Sequence, residues 1–181
     1  EWDNAEAQTL MEQILVDASN DVDAVFAAND GLANSVINAL EAAGVGPVPI
    51  SGQDATQAGI QNVLLGKQTV SVYKPIQDEA GVAAAIALAL RSGDDLEEAA
   101  TSYESPLASG GASVSIIGIE AESGEPADSA DGDGVVPYVA LVPIGVTVDN
   151  VADTVIADDF RTVDELCTGD VAATAFCQQN S

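Results

Sequence analysis

Four side chains in this sequence could meet a polar, uncharged ligand: Trp2, Asn29, Asp54 and Lys74. A carboxylate such as Asp54 accepts from two neighbouring hydroxyls, and an amide such as Asn29 both donates and accepts. A lysine adds charge-assisted donors. The indole of Trp2 offers a flat apolar face with polar groups at its rim, which suits the C–H side of a sugar ring. Lys74 draws notice because Lys and Arg together number 4 in the whole chain. Each residue also has a plainer reading. Trp2 could cover the core at a helix start, Asp54 could cap a helix beginning at Ala55, and Lys74 could pair with a surface acid.

The elements around these residues make the first reading coherent. Three short apolar runs each end in one of the polar groups: residues 23–28 before Asn29, 48–50 before Ser51 to Asp54, and 69–72 before Tyr73 and Lys74. Amphipathic segments at helical spacing separate them. Residues 5–16 carry Leu10, Met11, Ile14 and Leu15 on one face, with Asn4 as the expected cap. Residues 31–43 carry Leu32, Val36, Ile37 and Leu40, with Gly44 as the stop, and residues 55–65 end at Gly66. Buried strands alternating with helices predict a parallel α/β sheet, with residues 24–28 covered on both faces. Ligands of such sheets bind beyond the carboxyl ends of the strands, where these polar groups fall.

Farther along, an Ala-rich helix is expected over residues 78–91, stopped by Gly93. Residues 102–136 are rich in Ser, Gly, Asp and Glu and read as an acidic surface insertion with one strand-like run, 113–119. Asp131-Gly-Asp-Gly134 lacks the later ligands of a calcium loop. A strand over 138–148 is interrupted by Pro143, and a short helix follows over 150–156.

Composition removes several classes of function. The chain has 181 residues, 30 acidic against 4 basic, and a net charge of −26. Phosphate recognition needs clustered Lys and Arg, so nucleic acid and anionic membrane surfaces are excluded as partners. The acidity reads as a solvated surface, and also suits a salt-rich medium. The 47% hydrophobic content supports a packed core. The longest apolar stretch, residues 80–90, falls far short of the ~20 residues that span a bilayer. No His is present, and no nucleophile elbow or dinucleotide loop follows a strand, so no enzyme, cofactor or zinc chemistry is expected. Cys167 and Cys177 either form a local disulfide, which implies export, or remain free thiols; the disulfide is the favoured expectation. Glu1 begins almost inside a helix pattern without an initiator Met or leader, as expected for the back part of something longer.

Several segments together carry a family resemblance. Asp23-Ala-Val-Phe-Ala-Ala-Asn-Asp30, Ile50-Ser-Gly-Gln-Asp-Ala55 and Thr69-Val-Ser-Val-Tyr-Lys-Pro75 closely resemble the C-terminal half of bacterial D-xylose-binding and related multiple-sugar-binding proteins. Trp2 ahead of Ala5-Glu6-Ala7 fits as well, as do Pro143-Ile-Gly-Val-Thr-Val148 and Asn150-Val-Ala-Asp-Thr-Val-Ile156. These are substrate-binding components of sugar ABC transporters, in the ribose-binding-like class of periplasmic binding proteins. The resemblance implies a type I α/β fold of two lobes closing over a monosaccharide. Trp2 would stack on the sugar, and Asn29, Asp54 and Lys74 would hydrogen-bond its hydroxyls. Residues 1–73 and 141–181 would form the C-terminal lobe, and 75–137 would belong to the other. It also implies a permease partner and a periplasmic or extracellular location, a cell-surface lipoprotein included. The segment that in this family supplies the opposite wall is not among these residues, so weak sugar binding by the chain alone is expected, and the helix over 78–91 should show an apolar face. The alternative is the effector domain of a sugar-responsive repressor, which shares the fold.

Overall fold

The computed structural model describes residues 2–109, 115–120 and 135–180. Most of the acidic insertion, including Asp131-Gly-Asp-Gly134, lies outside them. The chain divides into two compact units, one of residues 1–74 with 144–181 and one of residues 75–143.

The first unit is the α/β layer expected from the alternating pattern. Helices α1 (Asn4–Asp17), α2 (Asp30–Ala42) and α3 (Gln57–Leu64) alternate with extended segments at 24–28, 48–53 and β1 (Ser71–Tyr73). The parallel ladder is thin. It is marked by the bridges Val25–Ile50 and Gln53–Val72 and by bonds such as Val25 N–H to Pro49 O (2.9 Å) and Val72 N–H to Gly52 O (2.9 Å). Strand β1 then pairs antiparallel with β4 (Ile144–Val146), in the register Ser71–Val146. Gly44 and Gly66 end α2 and α3 with φ of 68° and 71°, the left-handed conformation in which glycine has no steric cost.

Three local expectations are corrected. The cap of α1 is Asp3, whose carboxylate accepts from the Ala5 and Glu6 N–H groups (both 2.9 Å), not Asn4. A residue later in register, α1 buries only Met11 and Leu15 against α2 and leaves Leu10 and Ile14 half-exposed. The segment 24–28 is not covered on both faces: Phe26 is 90% exposed. An apolar run shows that a strand forms, but not which neighbours reach it.

Two apolar clusters hold this unit together. One joins Met11 and Leu15 to Val36, Ile37, Leu40 and Ile50. The other packs Ile60 and Leu64 of α3 and Tyr73 of β1 against Val146, Val151, Val155 and Leu166. The C-terminal segment reaches this core through a π-helical turn (Ala152–Ile156), α6 (Val163–Leu166) and α7 (Ala175–Asn180). Cys167 and Cys177 are joined in a disulfide 10 residues apart, with Cys177 buried. Closing a loop of this length restricts the unfolded chain by about 2–3 kcal/mol. Reduction, or the double change Cys167→Ser with Cys177→Ala, is therefore expected to lower stability by about that amount. Chemical denaturation with and without reductant measures it; an unchanged midpoint would show that the cross-link does not stabilise the fold.

The second unit contains α4 (Ile76–Ser92), α5 (Leu96–Thr101) and a hairpin of β2 (Ser115–Glu120) with β3 (Val135–Ala140). The break at Pro143 separates β3 from β4. Asp78 of α4 is fully buried and accepts from Ser105 Oγ (2.8 and 2.9 Å) and Tyr103 O–H (3.3 Å). Burial, and then the neighbouring Asp78 charge, push the Tyr103 hydroxyl above its ordinary pKa. On α4, Ile76, Leu88 and Leu90 are exposed, but Leu88 and Leu90 stand two residues apart and so do not form the single apolar face expected of this helix.

Candidate functional site at the strand ends

Parallel pairing brings three chain turns to one end of the sheet. The Asp30 N–H donates to Gln53 O (2.9 Å), and the Asp54 N–H donates to Val72 O (2.9 Å). Asn29 thus directly precedes a paired N–H, Asp54 carries one, and Lys74 follows β1.

Each candidate residue can be placed. Asn29 caps α2, its Oδ1 accepting from the Leu32 N–H (2.9 Å). Among the described residues, its Nδ2 amide has no acceptor. Asp54 and Lys74 form an ion pair of 2.7 Å, their side chains 38% and 40% exposed. The two plainer readings of these residues fare differently. Lys74 does pair with an acid, but that acid is the other candidate. Asp54 is not a helix cap: α3 begins two residues later than expected, and Thr56 caps it by accepting from the Gly59 N–H (3.0 Å). Trp2 stands before α1, 73% exposed, so it does not cover the core. Among the described residues, no hydrogen bond, ion pair or ring contact joins Trp2 to the other three.

The backbone under Asp54 is unusual. Asp54 has φ of 97° and Ala55 a φ of 45°, a region that favours glycine. Holding a residue there costs on the order of 1–3 kcal/mol. The Asp54–Lys74 pair cannot repay this, since a half-exposed ion pair contributes about 0–1 kcal/mol.

Sequence reasoning passed over the residue that organises this end of the sheet. Asp30 is 1% exposed. Its Oδ1 accepts from Gln68 Nε2 and Ser71 Oγ (both 2.8 Å). Its Oδ2 accepts from Ser71 Oγ (2.9 Å), the Thr56 N–H (2.8 Å) and Thr56 Oγ1 (3.1 Å). One carboxylate thereby ties the start of α2 to β1 and to the turn before α3. Gly52 and Gly59 make room for it, because a Cβ at either would collide with the Asp30 carboxylate. Two glycines facing one acid were the available signal, yet spacing alone does not show that they meet.

Chemically, the site presents a carboxylate acceptor, an ammonium donor and an amide donor, with an exposed indole elsewhere on the same unit. That set hydrogen-bonds hydroxyl groups and offers no activated nucleophile. Among the described residues, no cluster of His, Cys, Asp or Glu could hold a metal ion, and no helix is long and apolar enough to cross a membrane.

A parallel α/β layer with polar groups at its strand ends is the architecture of a ligand-binding lobe. Comparison with known proteins agrees: residues 1–95 match the periplasmic binding protein domain, and the chain belongs to that family. The chain is 37% identical over 168 residues to the D-xylose-binding periplasmic protein of Escherichia coli (strain K12), and 36% identical over 166 residues to that of Haemophilus influenzae. Each match covers 91% of this chain but only 42% of the relative, so the chain spans less than half the length of these relatives. The fold is also that of an ABC transporter solute-binding protein from Clostridium phytofermentans with bound β-D-glucose, at a TM-score of 0.65 and 24% identity. A carbohydrate transporter solute-binding protein from Chloroflexus aurantiacus, in complex with D-glucose, gives 0.66 and 24%. These two structures cover 91% of this chain and 44% and 42% of their own.

Proposed function

We propose that this chain forms one wall of the monosaccharide site in the substrate-binding component of a sugar ABC transporter. The observation that carries this reading is the Asp54–Lys74 pair, set on a strained turn beside Asn29 at the carboxyl end of the sheet. Asp54 accepts from sugar hydroxyls, Lys74 and Asn29 donate to sugar oxygens, and the Trp2 ring stacks on the sugar face. D-xylose is the first sugar to consider, because the relatives at 36–37% identity are named for it; D-glucose is the second. The protein works by binding and release, not catalysis, and hands its sugar to a membrane permease.

In this reading residues 1–73 and 141–181 belong to the C-terminal lobe and 75–137 to the other lobe. Closure of two lobes excludes water from the bound sugar. The disulfide supports an oxidising location, periplasmic or extracellular, and counts against a cytoplasmic repressor.

Calorimetric titration with D-xylose and D-glucose tests the proposal. The whole protein should bind at least one of them with micromolar affinity or better. The 181 residues alone should bind at least about 100-fold more weakly, since half a pocket leaves the hydroxyls to water. A whole protein that binds neither sugar overturns the sugar reading. Equal affinity in the 181-residue chain overturns the half-site reading.

A further inference from the structure

The geometry points to Ser71, Arg161 and Asp30 as positioning residues for the site: they grip the strained Asp54–Ala55 turn and so set the Asp54 carboxylate against Lys74. This inference rests on the sugar-binding reading above and assigns that site a buried support.

The turn is held at both of its N–H groups and at the Ala55 carbonyl. The Asp54 N–H donates to Val72 O (2.9 Å). The Ala55 N–H donates to Ser71 Oγ (3.0 Å), and the Ala55 carbonyl accepts from Arg161 Nε (3.0 Å). The next N–H, of Thr56, donates to Asp30 Oδ2 (2.8 Å). Ser71 Oγ in turn donates to the Asp30 carboxylate, so the two grips share one anchor. Arg161 is itself fixed. Its guanidinium lies 4.5 Å from the centroid of the Phe160 ring, which stands 4.8 Å from that of Tyr73, the neighbour of Lys74.

A turn needing only a change of direction would carry glycine at its left-handed positions. Here the first position is an aspartate whose side chain emerges toward Lys74, and the second is a fully buried alanine. Strain kept at such a point, with surrounding bonds that over-determine it, is the pattern expected where a side chain must be aimed. The use of Arg161, one of only 4 basic residues, on a backbone carbonyl fits the same purpose.

A double-mutant cycle separates aiming from general support. Ser71→Ala, Asp54→Ala and the double variant are made in the whole protein and titrated with D-xylose and D-glucose, their folding checked by circular dichroism. Ser71→Ala should weaken sugar binding about tenfold while Asp54 is present, and less than about twofold once Asp54 is alanine. Arg161→Ala, run through the same cycle, should behave likewise and covers the case in which Ser71→Ala does not fold. Equal losses in both backgrounds would make the network a structural support independent of Asp54, and no loss in either would show that the turn holds itself; both overturn the inference while leaving the sugar reading intact. An Asp54→Ala variant with unchanged affinity would instead overturn the sugar reading of Asp54, and the inference with it.

Discussion

Replacing Asp30 with alanine is expected to destabilise the α/β unit by about 3–4 kcal/mol. The change removes one acceptor from Gln68 and Ser71, both buried, and from the N–H and hydroxyl of the half-buried Thr56. Each buried donor left unpaired costs about 1–3 kcal/mol. The hydroxyls of Ser71 and Thr56 can rotate to other acceptors, and relief from burying a charge offsets part of the loss, which keeps the sum below the simple total. For a chain of this length the change lowers Tm by roughly 6–15 °C. Asp30→Asn keeps the shape but turns one acceptor into a donor facing the donors it served, and should recover only part of the loss. Thermal unfolding of both variants measures this. A melting temperature equal to that of the parent would mean that the network contributes nothing net.

The second large effect concerns binding. In the whole protein, Asp54→Ala should weaken affinity for the bound sugar by about 3 kcal/mol, roughly a hundredfold. Sugar hydroxyls that a closed pocket has stripped of water would lose their acceptor, and Lys74 would lose its partner as well. Stability should move little, because the Asp54–Lys74 pair is half-exposed and its backbone is strained. Calorimetry and a melting curve on the same sample distinguish the two effects. A drop in Tm with unchanged affinity would reverse the assignment and make Asp54 a structural residue.

These two aspartates mark the limit of what was legible in the sequence. The alternation of apolar runs with helical faces, closed by Gly44, Gly66 and Gly93, was enough to predict the α/β layer, and placed Asn29, Asp54 and Lys74 at strand ends before any contact was known. Periodicity and turn chemistry are local, so they survive in one dimension. Burial of a particular acid is not local. Among 30 acidic residues nothing in the spacing separates Asp30, with five hydrogen bonds to its carboxylate oxygens, from the many that face water. The same gap explains why Asp3 rather than Asn4 caps α1 and why Thr56 rather than Asp54 caps α3. Nearby polar residues compete for one cap, and the winner depends on where the backbone enters the helix, which at α3 the tertiary bonds of Asp54 and Ala55 decide.

The most direct test is a crystal structure of the whole protein with D-xylose bound. A sugar with hydroxyls within about 2.6–3.2 Å of Asp54, Lys74 and Asn29, and with its ring against Trp2, is the predicted result. A sugar bound elsewhere, with none of these four side chains in reach, would contradict it.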